Sequence, residues 1–353
     1  MRRIACLLAL CVATTTHAQY TETITVSRIV LDTRVTDAHG APITDLKPED
    51  FTVKVGGAPA MVASATWLDE TGDGVPRVPR VPRSSSDEED ADPTEEPEEP
   101  RGTRGTGSGR LIVIFVQTDF QRANLRMQRQ MAFRRHAEEI IHSFDDDDRL
   151  AVFSFDSHLK FRCDLTTDKA AAIRAMNESI LIDVPPPPPA VPEPSLAPFL
   201  DRQEMKRAVS SEAAMRIVGN ALKQLEGPKT MLLLGWGLGV KHGAMVMTRH
   251  EWPAARAALQ EARVVVMALN TGLGGELSYG METAAKDTGG MYALTSDFPH
   301  QVANRVRGTM LGRWELELMT AQPLPPGRYA VDVRVRRRGA VVLAASTVTI
   351  SAD

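Results

Sequence analysis

The sequence predicts an α/β protein: a doubly wound, mainly parallel sheet, together with a small β-sandwich built from the two chain ends. Three observations carry this expectation. The apolar run Leu111–Val116 reads as a strand buried on both faces, the mark of a central parallel strand. From residue 110 to about 310, strand-like and helix-like patterns alternate, which places helices on both faces of one sheet. Residues 19–70 and 311–353 instead alternate apolar and polar side chains without helical period. Each end holds too few strands to bury a core alone, so the two are expected to combine.

The length of 353 residues exceeds one ordinary core and fits two folded units. Residues 1–18 begin with Arg2 and Arg3, continue through an apolar centre from Ile4 to Ala13, and end on Thr16-His17-Ala18. That is the pattern of a cleavable signal peptide, too short to span a bilayer stably, and it predicts a secreted or periplasmic protein. Leu10 stands before Cys11 where a lipid-anchor signal wants a small residue. Losing Arg2 and Arg3 with the leader takes the formal charge from −4 to −6. Cys6 and Cys11 leave with it, and Cys163 then has no partner for an internal disulfide. Cys163 reads as an inert thiol at a strand end, with no adjacent histidine or helix start to activate it.

In residues 19–70, ETITVSRIVLDTRVT at 22–36 is a half-exposed strand, Asp37–Gly40 a turn, and 52–55 and 61–67 further strands split at Gly56-Gly57. Residues 71–109 read as a linker. Val-Pro-Arg recurs three times, and the tract at 84–100 carries nine carboxylates and no base. So few large apolar side chains cannot offset the entropy of ordering. With no basic stripe anywhere, nucleic acid is excluded as a natural partner.

In residues 110–310, strands are expected at 111–116, 149–155, 158–163, 229–234, 263–269 and 291–294. Helices are expected at 122–143, 168–179, 200–226, 251–261, 279–287 and 298–310, the fifth closed by the C-cap signal Thr288-Gly289-Gly290. Residues 185–198 hold a five-proline run and form a stiff exposed loop. Residues 311–353 return to strands at 314–319, 329–336 and 341–350. No later segment supplies a membrane span.

The candidate site lies beyond Val116, at the carboxyl end of the central strand, where open α/β sheets hold ligands. There the chain reads Gln117-Thr118-Asp119-Phe120-Gln121. This order of elements resembles the von Willebrand factor type A family, whose metal loop at this point is Asp-x-Ser-x-Ser. VTDAHGAPITDLKPEDFTVKVGG before the α/β region and RWELELMTAQPLPPGRYAVDVRV after it resemble secreted bacterial proteins related to that family. The resemblance covers nearly everything but the linker and the proline loop.

The resemblance implies a metal site with oxygen ligands from three loops. Gln117 stands at the first aspartate, Asp119 at the first serine and Gln121 at the second. Ser195 is the one hydroxyl in the loop that would carry the family's threonine, and Gly235-Trp236 replaces the last aspartate. One carboxylate is too little charge for a hard cation. The expectation is therefore no cofactor, with Asp119 as the one weak metal candidate and otherwise a helix N-cap.

Other motifs yield less. Asp145–Asp148 lacks the spacing of a calcium loop and reads as a solvated turn. Gly235–Gly243 is neither a dinucleotide nor a phosphate loop, nor a nucleophile elbow. Its Trp236 reads either as an interface anchor or as a side chain folded over its own loop. His39, His136, His142, His158, His242, His250 and His300 show no paired zinc spacing.

The functional expectation is a non-enzymatic protein-binding or adhesion-type module, using a rim of Gln117, Asp119, Gln121, Ser195 and Trp236 to hold a cell-envelope or extracellular protein. One alternative is a Mg²⁺-dependent adhesion module built on Asp119. Another is an envelope hydrolase whose site shows no recognisable pattern.

Overall fold

The computed structural model describes residues 28–70, 109–118, 123–181, 194–243, 245–272, 274–275, 277–296 and 298–350. The leader, most of the acidic linker, Asp119, Gln121 and the five-proline run lie outside the described residues.

The chain opens with β1 (Arg28–Thr36), β2 (Phe51–Val55) and β3 (Ala58–Asp69). Next come β4 (Leu111–Gln117), α1 (Ala123–His142), β5 (Arg149–Phe155), β6 (Leu159–Thr166) and α2 (Lys169–Leu181). They are followed by α3 (Arg202–Arg207), α4 (Ser211–Leu222), β7 (Lys229–Gly235), β8 (Val240–His242) and β9 (Met245–Met247). The α/β region ends with α5 (Trp252–Glu261), β10 (Val264–Asn270), α6 (Ser278–Thr288), β11 (Tyr292–Leu294) and α7 (Pro299–Thr309). The tail is β12 (Gly312–Met319), β13 (Gly327–Val335), β14 (Val341–Ala344) and β15 (Thr347–Ile350).

Strand β4 explains the α/β region. Every one of its residues is buried, because side chains alternate between two cores. Leu111, Val113 and Phe115 pack with residues of α4, α5 and α6. Ile112, Ile114 and Val116 pack with residues of α1, α2 and α7. The sheet runs β11-β10-β7-β4-β5-β6. All its pairings are parallel except that of β5 with β6, which is antiparallel. The strand order therefore turns around beside β4, between β4 and β7, and opens a crevice at their carboxyl ends.

One expected helix is divided. In place of a single helix over 200–226, α3 stops at Arg207 and α4 starts at Ser211. Ser210, in extended backbone, caps α4 by accepting from the Ala213 N–H at 3.1 Å. The β8–β9 hairpin was not anticipated from the sequence either. The aspartate turn is less solvated than expected. Asp148 is buried, accepts from the Arg110 N–H at 2.9 Å and Nε at 3.0 Å, and also takes the Asp145 N–H.

The two chain ends share one sheet of order β14-β1-β12-β3-β2-β13-β15. Its outermost members, β14 and β15, are halves of the same C-terminal stretch, separated by Ala345 and Ser346. The sheet thus curls until its edges meet, around a core that includes Leu31, Val53, Trp314 and Leu316. Trp314 makes edge contacts with both Phe51 and Trp67. The α/β region enters and leaves at one point: Asp69 stands opposite Gly312 across the β3–β12 pairing.

A charged seam joins the two parts. Arg263 donates to both Asp32 oxygens at 3.0 and 2.8 Å, and Arg313 Nε donates to Asp32 at 2.9 Å. Arg313 and Arg34 also meet Glu70.

Candidate functional site

Parallel register brings the ends of three strands level. Val116 lies opposite Leu234, and Gly235 lies opposite Asn270. Gln117, Gly235 and Asn270 therefore form the floor of the crevice.

Gln117 is 3 % exposed, and both ends of its side-chain amide are hydrogen-bonded. Its Oε1 accepts from the Trp236 N–H at 3.1 Å and the Gly237 N–H at 3.4 Å. Its Nε2 donates to Ser211 Oγ at 3.2 Å. Its backbone carbonyl accepts from Gln130 Nε2 on α1. An amide carbonyl offers two lone pairs, and here two backbone donors use them. A carboxylate or serine pattern would leave oxygens facing the crevice; this arrangement ties β4, α1, α4 and the loop after β7 together with neutral hydrogen bonds.

The adjoining strand ends are closed in the same way. Thr271 donates to the Gly235 carbonyl from its N–H at 2.7 Å and its Oγ1 at 3.0 Å. Asn270 is wholly buried; its Nδ2 donates to Ser278 Oγ and Tyr292 OH, both at 3.1 Å. Its Oδ1 accepts from the Gly272 N–H at 2.8 Å.

Beside this floor sits Glu212, in the first turn of α4 and 2 % exposed. It accepts from the Gly239 N–H at 2.6 Å, with Arg249 Nε 3.8 Å from its other oxygen. Burial pushes its carboxyl above the usual range, against the pull of its backbone hydrogen bonds and Arg249.

The sequence-predicted residues separate. Gln117 and Trp236 meet, through the backbone of Trp236, whose side chain is half-buried. Ser195 does not join them. Its hydroxyl donates to Asp164 Oδ2 at 2.5 Å, while the Leu196 N–H binds the other oxygen at 2.9 Å. It thus anchors its loop on β6. The hydroxyl that faces Gln117 is Ser211, thirteen residues past the end of the proline loop and so invisible to motif alignment. Ser211, Glu212 and Asn270 were all missed, although Ser210 as N-cap with Glu212 in the first turn marks a helix start. Asp119 and Gln121 fall outside the described residues.

Around the rim, the β8–β9 hairpin exposes Val240, Met245 and Met247, and α6, which packs against β9, exposes Tyr279. Cys163 lies away from this rim on β6, and burial pushes its thiol up to about 11, which keeps it unreactive. A small cavity of about 110 Å³, lined by Arg110, Phe144 and Met310 among others, sits at the amino end of β4.

No family model matches this chain, and no curated protein matches it. Among solved structures it is similar to a von Willebrand factor type A protein from Catenulispora acidiphila, at 10 % identity and a TM-score of 0.42, over 92 % of this chain and 74 % of that one. It is similar to an aerotolerance-related membrane protein from Bacteroides fragilis, at 13 % identity and TM-score 0.39, over 57 % of this chain and 96 % of that one. It is also similar to the type A domain of SpRpn10, at 11 % identity and TM-score 0.34, over 56 % and 93 % of the two chains. These likenesses concern the fold alone.

Proposed function

We propose that this protein is a secreted or periplasmic, non-enzymatic binding module. In this reading a doubly wound, type A-like domain grips a cell-envelope or extracellular protein at its strand-end rim without a metal ion. The observation that carries the reading is the state of Gln117: both lone pairs of its Oε1 are spent on the Trp236 and Gly237 N–H groups. A cation at that point would face donors rather than charged oxygens. The exposed Val240, Met245, Met247 and Tyr279 supply apolar contact area beside Trp236. Ser211 Oγ accepts from the Gln117 amide, which gives this hydroxyl a structural part in tying α4 to β4.

Calorimetric titration with magnesium tests the metal-free site, and no saturable heat is expected. Capture of envelope proteins by the intact chain, compared with an Asp119→Ala, Trp236→Ala double variant, tests the rim. Binding should fall while the melting temperature holds. Magnesium binding abolished by Asp119→Ala would instead establish a cation-dependent adhesion module, and undiminished capture would remove the rim from consideration.

A further inference from the structure

Two of the histidines that show no zinc spacing in sequence, His136 and His300, converge in space. On α1, His136 and Glu139 are three residues apart and share one helix face. His300 lies in the first turn of α7, which packs along α1. His136 Nδ1 is 3.2 Å from Glu139 Oε2, and His300 Nδ1 is 3.8 Å from the same oxygen. One ligand atom from each of the three residues falls within 4.8 Å of the others.

These spacings match a metal's requirements. Tetrahedral zinc with bonds of about 2.0–2.1 Å holds its ligand atoms about 3.3 Å apart, so closure needs only small side-chain shifts. The rings are positioned in advance: His136 lies between Phe133, 5.9 Å away, and His300, 4.4 Å away edge-on. The carboxylate is also divided. Arg135 Nε sits 3.5 Å from Glu139 Oε1, leaving Oε2 to the imidazoles. Such an outer partner fixes a ligand's orientation.

We propose that His136, Glu139 and His300 form a binding site for a borderline divalent transition metal, zinc foremost, that staples α1 to α7. Two imidazoles and one carboxylate favour zinc over magnesium or calcium. The His300 side chain is 75 % exposed, so solvent water reaches the remaining tetrahedral position. This site lies on a helical flank and is independent of the Gln117 crevice.

Zinc and cobalt(II) titrations of the full chain test the proposal. The expected result is one saturable zinc site, a zinc-dependent rise in melting temperature, and the visible absorption of four-coordinate cobalt(II). His300→Ala, at an exposed position, should keep the metal-free melting temperature and lose all three signals. Glu139→Gln should weaken them. Absence of saturable zinc binding in the wild type, or binding unchanged in His300→Ala, would overturn the assignment.

Discussion

A Cβ on residue 235 would stand 2.7 Å from Gln117 Oε1, so Gly235 and Gln117 interlock. The loop after β7 delivers its Trp236 and Gly237 N–H groups to that oxygen only because position 235 has no side chain. Gln117→Ala should cost about 2–3 kcal/mol, since it strands buried donors. Gly235→Ala should cost about 1–3 kcal/mol by overpacking. Together they should cost less than the sum, because the first change removes the obstacle met by the second. Urea denaturation of the four proteins measures this, and strict additivity would refute the interlock.

Glu212 should leave a signature in pH. Burial raises its folded-state carboxyl above the ordinary 4.5, so its contribution to stability is complete below that value and declines as pH rises through the folded value. Glu212→Gln keeps an oxygen for the Gly239 N–H and carries no charge. We expect its stability advantage over the wild type to grow between pH 4 and 8, followed by chemical denaturation at each pH. A constant difference would mean that the carboxyl pays no burial penalty.

Asp32 should behave in the opposite sense. Burial alone would raise its carboxyl, but Arg313 and Arg263 outweigh that and hold it below the ordinary 3.8. Its contribution is present above 3.8 and lost as pH falls through the lower folded value. Asp32→Asn should destabilise the protein at pH 7 by about 2–4 kcal/mol and flatten the acid limb of its stability curve. An unchanged acid limb would place the acid sensitivity elsewhere.

Ser195 and Trp236, grouped by sequence, should separate by experiment. Ser195→Ala should leave partner capture intact, whereas Asp164→Ala should lower stability by about 1–3 kcal/mol by stranding the buried Leu196 N–H. Parallel capture and thermal-melting assays read both. Loss of capture in Ser195→Ala at unchanged melting temperature would return that residue to the rim.

The fold was largely legible because its periodicities are local. Leu111–Val116 announced a central strand, and Thr288-Gly289 a helix end that the structure closes with Gly289 in the left-handed region at φ 76. The break at Ala208–Ser210 was hidden because no glycine or proline stands between α3 and α4 to mark it. The curled sheet was hidden because its closure depends on one tail stretch serving both edges, which no local pattern encodes. At the site, Gln117 and Trp236 were legible from their place in the strand order. Ser211, Glu212 and the His136–His300 pair were not, since each acts across a packed interface far from its partner in sequence.

The Asp69–Gly312 pairing has a consequence for the architecture as a whole. With Glu70 N–H bound to the Leu311 carbonyl at 2.9 Å, the chain leaves its β host and returns to it at paired positions. The covalent path into the helical body thus closes on itself, even though side chains such as Arg263 and Asp32 also bridge the two parts. Cutting the helical body away and bridging β3 to β12 with an Asn-Gly turn asks the host for no new pairing. A miniature made this way should fold unaided, and its twin tryptophans, Trp67 and Trp314, would report the event by fluorescence.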